Sequence, residues 1–235
     1  MSMPFYVAPE QMMKDRADYA RKGIARGRAL VAMRYAEGIV IVAENASETL
    51  RKVSEIYDRI AFAGVGKYNE FDQLRVAGIR AADLKGFQYS RDDVDARSLA
   101  NSYAQMLGNI FTHEMKPMEV EILVAEVGHE SASDQMFHLL YDGTVVDERD
   151  HAALGGDAEA IRARLGETWT DGLDLASVVA VGVAALSGGE REIPAGDLEV
   201  AELCRGNGRR CFHRLDEPEV AALLTSAIVD DHSTT

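Results

Sequence analysis

Two short strands that are apolar on both faces, Ala29 to Tyr35 and Ile39 to Ala43, constrain this chain more than anything else in it. They are separated only by Ala36-Glu37-Gly38, so they read as one hairpin. Strands buried on both faces need a layer packed against each side of their sheet. A helix leads into the hairpin. Pro9 and Glu10 open it, with proline at a position that needs no N–H. Met13, Ala17, Ala20 and Ile24 recur at helical spacing, and Gly27 ends it.

The rest of the chain repeats this alternation. Ser54 to Gly64 reads as a strand region. Tyr68 to Lys85 and Asp93 to Glu114 read as helices, then Val120 to Val127 and Gln135 to Tyr141 as strands, the second closed by Asp142-Gly143. Asp157 caps a helix running through Trp169, and Asp174 caps another through Leu186. Leu198 to Cys204 and Cys211 to Leu215 are strands flanking Asn207-Gly208, a hairpin signal. Glu217 to Ala227 is a last short helix.

Helices therefore come in pairs between hairpins. That order favours antiparallel sheets with helices outside them over a parallel βαβ arrangement. Two sheets face to face, each covered by a helix layer, use every apolar stripe. The expected fold class is α+β, a four-layer αββα sandwich of two antiparallel sheets with an extra N-terminal helix. No linker divides residues 9–227, which read as one domain. Residues 1–8 form a separate leading segment, and 228–235 a polar tail expected to be disordered.

Composition removes several function classes. With 39 acidic against 25 basic residues the formal charge is −14, which argues against a nucleic-acid partner. The most apolar stretch, Ala176 to Leu186, is shorter than the roughly 20 residues a membrane span needs. The opening MSMPFYVAPEQ has neither a basic region nor a long apolar core, so it is not a secretory signal. Two cysteines imply no disulfide framework and suit a reducing cytoplasm. If Asn207-Gly208 makes a two-residue turn, Cys204 and Cys211 face each other in a hydrogen-bonded pair, a poor geometry for a disulfide. Free thiols are expected.

Other chemistry finds little support. None of the six histidines stands at metal-ligand spacing, so no metal and no cofactor is expected. Gly64-Val65-Gly66-Lys67 lacks the phosphate-loop spacing and reads as a tight turn. There is no GxSxG. Gly155-Gly156-Asp157 starts a helix, and Asp92-Asp93-Val94-Asp95 and Asp147-Glu148-Arg149-Asp150 read as caps and solvated loops.

Specific wording adds a resemblance. Asp18-Tyr19-Ala20-Arg21 before the first strand, Ile39 to Asn45 in the second, and Lys52 to Ile60 leading to Ala63-Gly64 are similar to proteasome α subunits. The start MPFYVAPEQMM, Ala20 to Gly27, and Gly66 to Asp72 resemble the actinobacterial type, which works beside a prokaryotic ubiquitin-like tag. The resemblance covers about residues 9–227. It implies the N-terminal-nucleophile hydrolase fold and a heptameric ring. It also implies partners: the proteasome β subunit, the C-terminal tails of a ring-shaped ATPase or other activator, and unfolded protein substrates in transit.

Catalytic members of this family begin their first strand with a free threonine, activated by its own amine with a lysine and an acid nearby. Here Arg28 stands at that position behind 27 residues, with Lys52 at the lysine position and Glu44 at the acid position. No catalytic residue is therefore assigned. The resemblance implies instead that Lys52 pairs with the terminal carboxylate of an activator tail. Tyr57-Asp58-Arg59 spells the gate motif of archaeal and eukaryotic α subunits but lies in a strand region, so it is given no gating role. A gate would have to be built from Met1, Ser2, Met3, Pro4, Phe5, Tyr6, Val7 and Ala8. Two alternatives remain. A catalytic N-terminal-nucleophile hydrolase needs a self-cleavage site, which Ala25 to Ala29 does not offer. A non-enzymatic scaffold on the same sandwich would run as a monomer.

Overall fold

A computed structural model of the chain describes residues 8–189 and 191–232. Helix α1 (Pro9–Ala25) precedes the hairpin β1 (Leu30–Tyr35) and β2 (Gly38–Glu44). The expected single strand region is a second hairpin, β3 (Val53–Tyr57) and β4 (Ile60–Gly66), turning at Asp58-Arg59. Two helices follow, α2 (Tyr68–Gln88) and α3 (Ala96–His113), then β5 (Val120–Glu126) and β6 (Gln135–Leu139). Two strands not expected from the sequence come next, β7 (Val145–Glu148) and β8 (His151–Leu154). Helices α4 (Ala158–Thr168) and α5 (Leu175–Ser187), strands β9 (Leu198–Cys204) and β10 (Phe212–Arg214), and helix α6 (Glu217–His232) complete the chain.

The strands form two antiparallel five-stranded sheets, ordered β10-β9-β2-β1-β8 and β3-β4-β5-β6-β7. Side chains alternate across each strand, so each sheet feeds two cores. Leu30 and Ala32 of β1 point between the sheets, with Ile39, Ile41, Leu123 and Ala125. Val31 and Met33 point the other way, against Val178 and Val179 of α5. On the second sheet, Phe62, Ile122 and Val124 face Leu74 of α2 and Leu99 and Tyr103 of α3. These three cores make the four layers, in the α+β class the sequence implied.

Helix α1 stands outside that scheme. Ala20 and Ile24 are buried in the inter-sheet core, so the helix seals one edge of the sandwich against β4 and β5. Burying a side chain the size of Ile24 contributes about 1.5–3 kcal/mol. Caps fall where the sequence puts them: Asp157 accepts from the Ala160 N–H at 3.3 Å and Asp174 from the Ser177 N–H at 2.8 Å. The start of α3 differs. Arg91–Asp93 form a single 3-10 turn, and Asp95 is the true cap, accepting from the Ser98 N–H at 2.7 Å.

Three further expectations change. Gly64-Val65-Gly66 is the end of β4 and Lys67 the cap position of α2, not a free turn. Gly66 has φ 97°, and a Cβ there would stand 1.9 Å from the Glu119 carbonyl oxygen, so only glycine fits. Residues 205–210 make a longer loop with a 3-10 turn at Arg205–Asn207 instead of a two-residue hairpin turn. Finally, α6 runs to His232, five residues into the segment 228–235 expected as a disordered tail. Once a helix is nucleated, each added residue gains a backbone bond at little cost.

Candidate docking site

The connection from α1 to β1 is short and fixed. The Gly27 N–H donates to the Ile24 carbonyl at 2.9 Å, and a Cβ on Gly27 would lie 3.3 Å from the Gly66 nitrogen. Arg28 is thereby held beside the ends of β2 and β3. The Lys52 ammonium donates to the Arg28 backbone carbonyl at 2.5 Å. The Arg28 guanidinium pairs with Glu44, the last residue of β2. Arg191 grips the same carboxylate in bidentate fashion, Nη1 to Oε1 at 2.8 Å and Nη2 to Oε2 at 2.5 Å. The three positions picked from the sequence, Arg28, Glu44 and Lys52, thus meet at one end of the sandwich.

Their electrostatics follow from this packing. Glu44 is buried, yet the Arg191 guanidinium holds its carboxyl below the usual range, with Arg28 adding to the effect. Lys52 is half-buried, and desolvation brings its ammonium down to about 8. Glu199 and Glu44 oppose that fall, and the Arg28 charge adds to it. No nucleophilic hydroxyl or thiol occupies the Arg28 position; what faces the lysine is a peptide carbonyl. The arrangement offers an ammonium and guanidinium N–H groups, a set suited to holding a carboxylate.

Comparison with known proteins fits this geometry. Residues 24–202 match the family described as Proteasome subunit. The chain is 63% identical over 224 residues to the proteasome subunit alpha of Acidimicrobium ferrooxidans, covering 95% of this chain and 97% of that one. It is 57% identical over 233 residues to that of Kineococcus radiotolerans, covering 95% and 98%. For Sanguibacter keddieii the values are 56% over 231 residues, with 96% and 91% covered. The chain belongs to the proteasome family, among its actinobacterial α subunits.

Within this proteasome chain, one residue of the site escaped the sequence reading. Glu199, near the start of β9, is buried and collects four donors. They are the Lys52 N–H at 2.8 Å, the Val53 N–H at 3.2 Å, Asn45 Nδ2 at 2.8 Å and the Arg214 guanidinium. It fixes the backbone from which Lys52 projects. Its signal was present: a carboxylate in a largely apolar, buried strand, as Glu199 and Glu202 both are in β9, must have partners. A cleft of about 280 Å³ opens beside it, lined by Asn45, Arg51, Glu199, Arg214, Asp216 and Glu217.

The other candidates separate from the site. Met1 to Val7 of the expected gate lie outside the described residues, and Ala8 is an exposed residue at the start of α1. Tyr57 ends β3, while Asp58-Arg59 form the turn to β4 at the far end of that strand from Lys52. Cys204 and Cys211 are buried free thiols, and the Cys204 N–H donates to the Cys211 carbonyl at 2.9 Å. Among the described residues no helix is long and apolar enough to cross a membrane, and no three His, Cys, Asp or Glu side chains form a group able to hold a metal ion.

Proposed function

We propose that this chain is the non-catalytic α subunit of a cytoplasmic proteasome core. In this reading it forms the outer heptameric rings and templates assembly of the β subunit. It admits unfolded substrates through a pore gated by residues 1–8 and docks the C-terminal tails of an ATPase or other activator, for degradation of proteins carrying a ubiquitin-like tag. The observation that carries it is the contact of Lys52 with the Arg28 carbonyl. A lysine and an acid at catalytic positions, with an arginine peptide in place of the nucleophile, cannot carry out acyl transfer. They can hold an anion.

Lys52→Ala in the assembled particle is the direct test. A charge-assisted contact contributes about 1.5–3 kcal/mol, and docking through several linked tails multiplies the effect of each loss. Activator-stimulated protein degradation is expected to disappear, while basal hydrolysis of small peptides stays near wild type because the β subunits are untouched. A variant that binds activator normally would refute the docking role. Two companion measurements check the rest of the reading. The purified chain is expected to show no turnover of fluorogenic peptides. Removal of residues 1–8 is expected to raise peptide hydrolysis by the particle without changing its size, and an unchanged rate removes the gate.

A further inference from the structure

Strand β6 runs between β5 and β7 and carries a charged cluster that the docking site does not use. His138 stands level with Leu123 of β5 and Val146 of β7. Side chains on one face of a strand recur every second residue, so Glu121 and Glu148 are its diagonal neighbours on that face. The face is the one that Leu123 and Met136 present to the core between the sheets. His138 is 6% exposed there, with Nε2 3.4 Å from Glu121 Oε2 and Nδ1 3.6 Å from Glu148 Oε1.

A neutral imidazole has one N–H and one lone pair. Between two carboxylates, which only accept, it serves one and turns its lone pair to the other. The imidazolium donates at both nitrogens and suits both. Glu121 is largely buried and has no other cation within 4 Å among the described residues. Tyr141 also senses its charge, with Asp142 beside that ring and Arg21 of α1 over it at 5.8 Å. Glu148 is largely buried too and keeps one further partner, Arg162 of α4 at 2.9 Å. His151 of β8 and the adjacent Asp150 complete the surroundings of Glu148, and burial holds His151 toward its neutral form. Burial also works against a charge on His138, but the Glu121 and Glu148 carboxylates outweigh it and raise the imidazole above its ordinary 6.5.

Among the described residues no strand pairs with the outer side of β7, and its Val145 and Val146 are exposed, so apolar burial does little to hold it. Arg149-Asp150 lead from β7 directly into β8 of the other sheet. Whatever pins β7 therefore also ties the two sheets at this margin. We propose that His138 is a pH-sensitive latch on this edge, bridging β5 to β7 as an imidazolium and letting β7 loosen when it loses its proton. Deprotonation leaves two largely buried carboxylates with Arg162 as their one close cation. Folding raises the imidazole, so its contribution is complete below 6.5 and is lost as pH rises through the raised value. The latch is independent of the docking role of Lys52.

Hydrogen exchange of the full chain, followed from about pH 5.5 to about pH 8.5 and corrected for intrinsic exchange rates, tests the latch. Protection of the Val145 to Glu148 amides is expected to fall severalfold relative to the β4 amides, with a midpoint above 6.5. The ring C–H signals of His138 should titrate in NMR spectra with the same midpoint. Glu121→Gln should move both midpoints to lower pH. Arg162→Gln, at a half-exposed side chain, removes the other cation of Glu148 and should move them to higher pH; a misfolded chain would instead titrate lower, at the ordinary value. His151→Gln should leave them in place. The proposal is overturned by β7 protection that ignores pH, by midpoints that stay put in both Glu121→Gln and Arg162→Gln, or by a step that vanishes in His151→Gln.

Discussion

The two ends of β3 use charge in opposite ways. At the Lys52 end the carboxylates are buried and the cations are gathered around them. Glu199 has four donors, and Glu44 has two guanidiniums. At the other end the carboxylate Asp58 sits in a turn, and the arginines it holds stand on exposed segments with side chains 47% and 74% accessible. A buried carboxylate that loses its cation is left uncompensated in a poor solvent, so its network is fixed. Asp58 is itself only 16% accessible, but it lies in a turn and a guanidinium that loses it is solvated by water, so such a pair contributes little. One end is thus built around carboxylates at strand ends, and at the Asp58 turn the arginines stay within reach of water.

The largest effect that tests this contrast is on stability. Glu199→Ala removes the buried carboxylate that Arg214, Asn45 and the Lys52 and Val53 N–H groups share, and is expected to cost on the order of 3–5 kcal/mol. Asp58→Ala, after discount for the solvent around its arginines, should stay within about 1 kcal/mol. Urea unfolding of both variants measures the difference, and equal losses would erase the distinction between the ends.

A second test uses pH. Folding lowers Lys52 from its ordinary 10.5 to about 8, so above pH 8 the folded chain releases a proton that the unfolded chain still binds. Stability contributed by this group therefore rises with pH between about 8 and 10.5. Lys52→Met should flatten that rise, and a profile identical to wild type would mean that the ammonium is solvated. Anion docking at Lys52 should fade over the same window, as its charge is lost.

Smaller again is the acid limb. Arg191 holds the Glu44 carboxyl below its usual range, which gives stability present above the ordinary carboxylate range and lost as pH falls through the lowered value. Arg191→Gln leaves Arg28 in place, so acid unfolding should begin only slightly earlier in a circular-dichroism titration. Least of all, Arg210→Gln breaks an exposed pair with Glu55 and should leave the melting temperature unchanged. A measurable drop would show that the arginine-rich loop is structurally fixed after all.

What was legible in the sequence follows the same physics. Helix α1 and the β1–β2 hairpin could be read because their apolar spacing is local and strong. The position of Lys52 could be read from its neighbours in the chain. Strand β7 could not, because Val145 and Val146 lie on an exposed sheet edge and carry no burial pattern. Glu199 as an anchor was hidden because its partners Asn45 and Lys52 stand about 150 residues away. The Asn207-Gly208 turn was misjudged for a related reason. The Arg205 N–H donates to the Glu37 carbonyl and the Cys211 N–H to the Asp58 carbonyl, so tertiary contacts stretch the loop beyond its local preference.

Helix α1 carries one more consequence. Its Ala20 and Ile24 share a core with strands of both sheets, so the helix cannot detach without wetting the layer between them. Its C-terminal half should therefore melt with the sandwich as one cooperative unit. In hydrogen exchange the amides around Ala20 to Ile24 should open only at a free energy close to that of β2 and β5, while those near the exposed Met12 open sooner. A leading helix of this kind behaves kinetically as part of the core it covers, although by position in the chain it looks like an appendage.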